Sequence, residues 1–104
     1  MLNPLEMMKN LQQMQESMQH LQEKMKVLTA VGVAGGDLVK VTVNGQMEVL
    51  KVELAPECVD PRDVSMLADL IRMATNDAMG KVKEKMREEL GPLAQGLGTG
   101  FPGV

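Results

Sequence analysis

Apolar residues at Met7, Leu11, Met14, Met18, Leu21, Met25 and Leu28 follow one another in steps of 4, 3, 4, 3, 4 and 3. That is a heptad seam, with Leu11, Met18 and Met25 in one register and Met7, Met14, Leu21 and Leu28 in the other. A seam this narrow suits a partner helix better than the broad face of a sheet. Its start is written in "LNPLEM": Asn3 can cap, Pro4 fits the first helical position, Glu6 falls three residues after the cap, and Leu2 and Met7 are spaced as a hydrophobic staple. At about 1.5 Å per residue the helix from Pro4 to Leu28 spans roughly 37 Å. A domain of 104 residues cannot cover that length, so part of the helix is expected to project.

The stretch "MMKNLQQMQESMQHLQEKMK" has glutamine, asparagine and serine on its flanks, so ion pairs do little to select a partner, and unbranched methionines leave the seam adaptable. A thioether metal site is the sharper reading of so much sulfur. Methionine at helical spacing is more often packing, and His20 falls off the seam. A membrane-surface helix wants Lys or Arg beside a wide apolar face. This one has a narrow stripe and as many Glu as Lys.

Only Phe101 is aromatic, so the core is expected to be aliphatic and methionine-based. The longest apolar runs fall short of a membrane span, and the N-terminus lacks a basic segment followed by an apolar core, so no signal peptide is expected. Cys58, the single cysteine, cannot form an internal disulfide, which fits a reducing compartment. A net charge of −3 argues against a basic surface over the whole chain.

Past the seam the period changes to two. Val39, Val41 and Val43 alternate with Lys40 and Thr42 as in a half-buried strand. Asn44-Gly45 signals a type I′ hairpin. The return strand is expected from about Gln46 to Leu54, with Leu50, Val52 and Leu54 on one face and Lys51 and Glu53 on the other. A shorter strand over Ala30 to Ala34 precedes the hairpin. "AGGD" at 34–37 is read as a glycine turn, since the Lys-Ser/Thr of a phosphate loop is missing.

"VDPRDV" repeats the helix-start grammar, with Asp60 as cap, Pro61 as first residue, Asp63 as the acidic third, and Val59 and Val64 as staple. This helix is expected to run to about Leu90 and stop at Gly91-Pro92. Its first half (Val64, Leu67, Leu70, Ile71, Met73, Ala74, Ala78) is broadly apolar and belongs on the sheet. After Gly80 the stripe narrows to Val82, Met86 and Leu90. Lys81 and Lys85 flank it on one side and Lys83 and Arg87 on the other, either as a solvated face or as a local anion-binding patch on an acidic protein. The organisation is one domain over residues 1–91 and a Gly-rich, mobile tail over 92–104. Catalysis has little support. His20 and Cys58 stand far apart in different elements, and capping explains Asp60 and Asp63 better than acid–base chemistry does.

With helix, three strands and helix in place, "AGGDLVKVTVNGQMEVLKVEL" at 34–54, "VDPRDVSMLADLI" at 59–71, the Met/Gln helix and the Gly-rich tail together resemble the YbaB/EbfC family of bacterial nucleoid-associated proteins. The resemblance covers almost the whole chain. It implies an α+β fold, a helix–three-strand antiparallel sheet–helix whose long projecting helices form an intertwined homodimer. It also implies double-stranded DNA as partner in the cytoplasm, at the nucleoid, with relaxed sequence preference and influence on nucleoid organisation and gene expression. No catalysis, cofactor, metal, small-molecule substrate or membrane is implied. The family supplies no sharp DNA-contact motif. Charge and expected geometry nominate Lys9, Asn10, Gln12, Gln13, Lys81, Lys83, Lys85 and Arg87 for DNA, with Lys9 and the Lys81–Arg87 cluster sharing one end of the arm. Met7, Leu11, Met14, Met18, Leu21 and Met25 are the candidates for dimer and arm packing. A dimer carries −6, twice the chain's −3, so DNA binding has to rest on local basic tips. The rival reading is a non-catalytic adaptor that grips another protein through the Met-rich arm.

Overall fold

Asn3 starts the first helix as its sequence foretells: it is extended at φ −80 and ψ 160, and its side chain accepts the Glu6 N–H at 2.7 Å. Helix α1 (Pro4–Val27) follows. The computed structural model describes residues 3–96, with side chains through residue 91; Leu2, half of the expected staple, lies outside them. None of the residues of α1 is buried. Only Leu21 and Met25, with Leu28 just beyond, are half-buried. The molecule measures 71 × 22 × 17 Å with a radius of gyration of 19.6 Å, against about 13 Å for a compact chain of this length. The helix projects as expected.

The sheet contains β1 (Thr29–Ala34), β2 (Val39–Asn44) and β3 (Val49–Leu54), antiparallel in the order β1-β2-β3. Gly35 and Gly36, both at positive φ (+62 and +71), turn β1 into β2. Val39, Val41 and Val43 are fully buried and face the second long helix, α2 (Val64–Gly96).

Small residues bring helix and sheet together. A Cβ on Gly32 would stand 2.2 Å from both the Ala74 carbonyl oxygen and the Ala78 nitrogen, so the α2 backbone rests directly on β1. Such an approach leaves room for little beyond Ala and Val, and the buried hydrophobic cluster is Ala30, Ala34, Val39, Val41, Val43, Cys58, Ala74, Ala78 and Val82. The expected methionine contribution to the core is corrected: no described methionine is buried, and Met79 packs only at its margin.

The β2–β3 connection also departs from expectation. It is a three-residue loop, Gly45 to Met47, closed by the Asn44 N–H on the Glu48 carbonyl at 3.1 Å, and Met47 rather than Gly45 takes the positive φ (+63). Asn44 turns its side chain inward. Its Oδ1 accepts the N–H groups of Gln46 and Glu48, both at 3.0 Å, and its Nδ2 donates to Glu48 Oε1 at 2.9 Å. Gly45 is pressed against the root of α1, where its N–H is shared by the Met25 and Leu28 carbonyls, each at 2.9 Å. A Cβ there would lie 2.7 Å from the Met25 oxygen.

The return strand therefore starts at Val49, and a register shift follows at Thr42/Val43. Val52 stands opposite Val41 and Leu54 opposite Val39, which puts both on the core side of the sheet. Yet every residue of β3 is exposed, because α2 packs over β1 and β2.

Helix α2 begins a turn later than its sequence grammar suggests. Asp63, not Asp60, is the cap, accepting the Met66 N–H at 3.1 Å. Asp60 instead holds the preceding turn by accepting the Arg62 N–H at 2.9 Å and pairing with its guanidinium. Those bonds hold the Asp60 carboxyl below its ordinary value, the side-chain bond first. Val59 and Val64, the expected staple, are exposed. The helix also runs through Gly91-Pro92 to Gly96. A proline withholds one N–H from the helix ladder, and the carbonyl that loses its partner belongs to Glu88, an exposed residue open to water. The rest of the expected tail, 97–104, lies outside the described residues.

Candidate nucleic-acid interface

Strand β1 is an edge strand, and its outer backbone groups would be open to pairing with another chain. Side chains of α2 occupy them. Asp77 Oδ2 accepts the Val33 N–H at 3.0 Å, Lys81 Nζ donates to the Val31 carbonyl at 3.3 Å, and Lys85 Nζ donates to the Thr29 carbonyl. Lys81 and Asp77 also pair at 2.9 Å. Spacing of i, i+4 and i+8 sets the three on one line of the helix. Sequence reasoning missed Asp77, although that spacing was available to find it.

The Val33 N–H first, and Lys81 second, hold the Asp77 carboxyl below its ordinary 3.8. A carboxylate depressed in the folded state stabilises at pH values above its unfolded pKa, and that contribution is lost as pH falls through the lower folded value. Asp77→Ala is therefore expected to lose the part of the stability that the wild type gains as pH rises to and past the ordinary carboxylate value of 3.8. Urea unfolding at stepped acid pH measures it; parallel curves for the two proteins would count against the clamp.

Two of the expected DNA contacts are thus already engaged. Lys81 and Lys85 sit at the β1 edge beside the root of α1, whereas Lys9 lies roughly 27 Å up that helix at about 1.5 Å per residue. The expectation that they share one end of the arm is corrected, because the turns of α2 that carry these lysines also carry buried Val82 and are docked on the sheet. A recess of 380 Å³ along this edge is lined by Ala30, Val31, Lys81, Glu84, Lys85 and Glu88. Its two carboxylates balance its two lysines, so it is not an anion pocket.

The other candidates are open. Lys83 and Arg87 are exposed one turn apart on α2, Arg87 pairing with Glu84 at 3.2 Å. Lys9, Asn10, Gln12 and Gln13 are exposed on α1. At 100° per residue, Lys9, Gln12 and Gln13 fall opposite the seam of Met7, Leu11, Met14 and Met18, and Asn10 lies on its flank. Glu16 and Glu23 share the polar side nearer the root, and Glu6 stands near Lys9 toward the tip, so the charges of α1 balance at three Glu and three Lys. Lys24 is engaged with Glu89 at 3.0 Å. Seam residues Met7, Leu11, Met14 and Met18 are 52–64% exposed, while Leu21 and Met25 are half-buried at the root.

His20 is exposed on α1, and Cys58 is sealed with its thiol donating to the Ala55 carbonyl at 3.1 Å, so the structure does not bring them together. Among the described residues no group of three His, Cys, Asp or Glu could hold a metal ion, and no helix is long and apolar enough to cross a membrane.

Comparison with known proteins bears on this arrangement. The profile of the YbaB/EbfC DNA-binding family matches residues 1–97. A nucleoid-associated protein of Lysinibacillus sphaericus is 54% identical over 70 residues, covering 67% of each chain. One of Rhodococcus erythropolis is 44% identical over 93 residues, covering 89% of this chain and 83% of its own. The crystal structure of an uncharacterized protein from Helicobacter pylori superposes with a TM-score of 0.70 at 20% identity, covering 89% of this chain and 98% of that one. That last likeness concerns the fold alone: a helix, a three-stranded antiparallel sheet and a long helix.

Proposed function

The chain belongs to the YbaB/EbfC DNA-binding family, and from that premise we propose that it is a nucleoid-associated protein binding double-stranded DNA as a homodimer, with relaxed sequence preference. Its place is the cytoplasm, at the nucleoid, where it influences nucleoid organisation and gene expression. No catalytic step and no cofactor enters this reading. The observation that carries it is the family match over residues 1–97. The projecting α1 supports it: a helix with no buried residue is shaped to reach a partner, and its macrodipole turns the positive end outward at the tip.

DNA contact is assigned to Lys9, Asn10, Gln12 and Gln13 on α1 and to Lys83 and Arg87 on α2, mainly through phosphates. Lys81 and Lys85 contribute only by giving up the β1 edge. The dimer is assigned to the open side of the sheet, where Val52 and Leu54 lie uncovered on the core face and the opposite edge is already closed. The Met seam, Met7 to Met25, is the packing surface of the arm.

Affinity for duplex DNA, measured across salt concentrations, tests the reading. Each phosphate neutralised contributes about −0.9 to the log–log slope. Lys83→Glu/Arg87→Glu should flatten that slope by about 1.8 and weaken binding about fiftyfold near 0.1 M salt. This pair leaves the β1 edge intact, unlike reversal of Lys81 and Lys85. An unchanged slope would remove the patch from the interface. If the wild type fails to bind even at low salt, the adaptor reading takes over. That reading draws on Leu5, Met7, Met8, Leu11, Met14 and Met18, all at least half exposed, and a Met-lined contact depends weakly on salt.

A further inference from the structure

Asn44 and Gly45 form the kind of pair most prone to spontaneous deamidation, because glycine has no side chain to keep its nitrogen away from the asparagine carboxamide. In the fold both reacting groups are engaged. Asn44 is 1% exposed, its Oδ1 accepts two backbone N–H groups, and its Nδ2 donates to Glu48. The nitrogen of Gly45, which would be the nucleophile, gives its proton to the Met25 and Leu28 carbonyls at the root of α1. Beside it the Gln46 side chain donates to the Gln22 carbonyl of the same helix at 3.4 Å.

We propose that Asn44-Gly45 is a deamidation site guarded by the docked root of α1, so that time spent undocked is recorded as a covalent change at position 44. When the root lifts, the Gly45 nitrogen loses its proton to solvent base and attacks Asn44 Cγ. A C–N bond closes a succinimide ring, the bond from Cγ to Nδ2 breaks, and that nitrogen takes up protons from water and leaves as ammonia. Water then opens the ring at either carbonyl, giving aspartate or isoaspartate. A water is consumed, an ammonia is released, and nothing is oxidised or reduced.

The bonding pattern places the guard at α1. The Asn44 side chain bonds only to Gln46 and Glu48, so those bonds travel with the loop. The bonds of the Gly45 N–H cross to α1, a helix with no buried residue. Segments with few buried apolar contacts open at a lower free energy than the core. The root therefore releases Gly45 while β1 and β2 stay paired beneath α2.

The product does not fit back. Aspartate has no donor, and its carboxylate faces that of Glu48 where Nδ2 had donated. Isoaspartate inserts an extra carbon into the main chain and displaces Gly45 from a tight seat, where even a Cβ would stand 2.7 Å from the Met25 oxygen. None of this depends on what α1 binds.

The test follows Asn44 in the full-length chain at physiological temperature and mildly alkaline pH, by peptide mass spectrometry and isoaspartyl methyltransferase labelling, beside a synthetic peptide of residues 39–49. The peptide should react at least about a hundredfold faster than the folded chain, whose own rate should rise about tenfold in urea well below the unfolding midpoint, as a local opening does. The folded rate should not change with protein concentration. A folded chain that reacts as fast as the peptide, or whose rate climbs only through global unfolding, would overturn the proposal. A rate that falls as concentration rises would assign the guard to a second copy and overturn it as well. Asn44→Asp, one of the two products, should speed hydrogen exchange at the Gly45 amide by about tenfold or more; protection equal to the wild type would show that the product re-docks and would overturn the record.

Discussion

Gly32→Ala is expected to lower stability by about 3 kcal/mol or more, at the upper end of what an added methyl group does to a packed core. The new carbon would lie 2.2 Å from the Ala74 oxygen and 2.2 Å from the Ala78 nitrogen. Both obstacles are backbone, so no rotamer change relieves the clash. Relief requires α2 to lift from β1, and lifting it loosens Ala74, Ala78 and Val82 together and pulls Asp77, Lys81 and Lys85 off the strand edge. Urea unfolding of the purified variant measures the loss. A loss under about 1 kcal/mol, the middle of the range for point substitutions in general, would mean that helix and strand stand farther apart than described.

Val52→Glu/Leu54→Glu is expected to leave a folded monomer. In the single chain these side chains are 46% and 40% exposed, so carboxylates there stay hydrated and the fold tolerates them. In the proposed dimer the same positions are covered, and burying two unpaired charges costs several kcal/mol, which is about a thousandfold in the dissociation constant. Sedimentation equilibrium at micromolar concentration should give twice the chain mass for the wild type and the chain mass for the variant. A wild type that remains a folded monomer would end the dimer proposal. A variant that dimerises like the wild type would move the interface to the α1 seam.

Legibility in the sequence followed how many neighbours a residue's role depends on. Strand β2 was readable because Val39, Val41 and Val43 alternate on a single element, and the Asn3 cap because its partner, Glu6, is three residues away. The β2–β3 loop was not readable: Asn44-Gly45 has the composition of a two-residue turn, but contact between Gly45 and the root of α1 requires another path. The choice of Asp63 over Asp60 as cap turned on the pairing of Asp60 with Arg62. Core composition was set by the close approach at Gly32, which excludes the long side chains that methionine counting suggested. At the candidate site the polar face of α1 was visible from periodicity. The engagement of Lys81 and Lys85 was hidden, because their acceptors are backbone carbonyls of β1 some fifty residues earlier.

The attachment of α1 has a mechanical consequence. The helix meets the rest of the chain over its last turns, through the shared Gly45 N–H and the exposed Lys24–Glu89 pair, and its outer turns form a stiff rod of roughly 30 Å. Such a rod on so small a bearing converts rotation into displacement: a tilt of 10° moves its far end by about 5 Å. Two rods tilting in opposite senses in the proposed dimer change the gap between their ends by about 10 Å, close to the roughly 12 Å width of a major groove. In that proposed dimer the span between the ends is an adjustable calliper, and the proposed relaxed sequence preference would then be a property of the pivot.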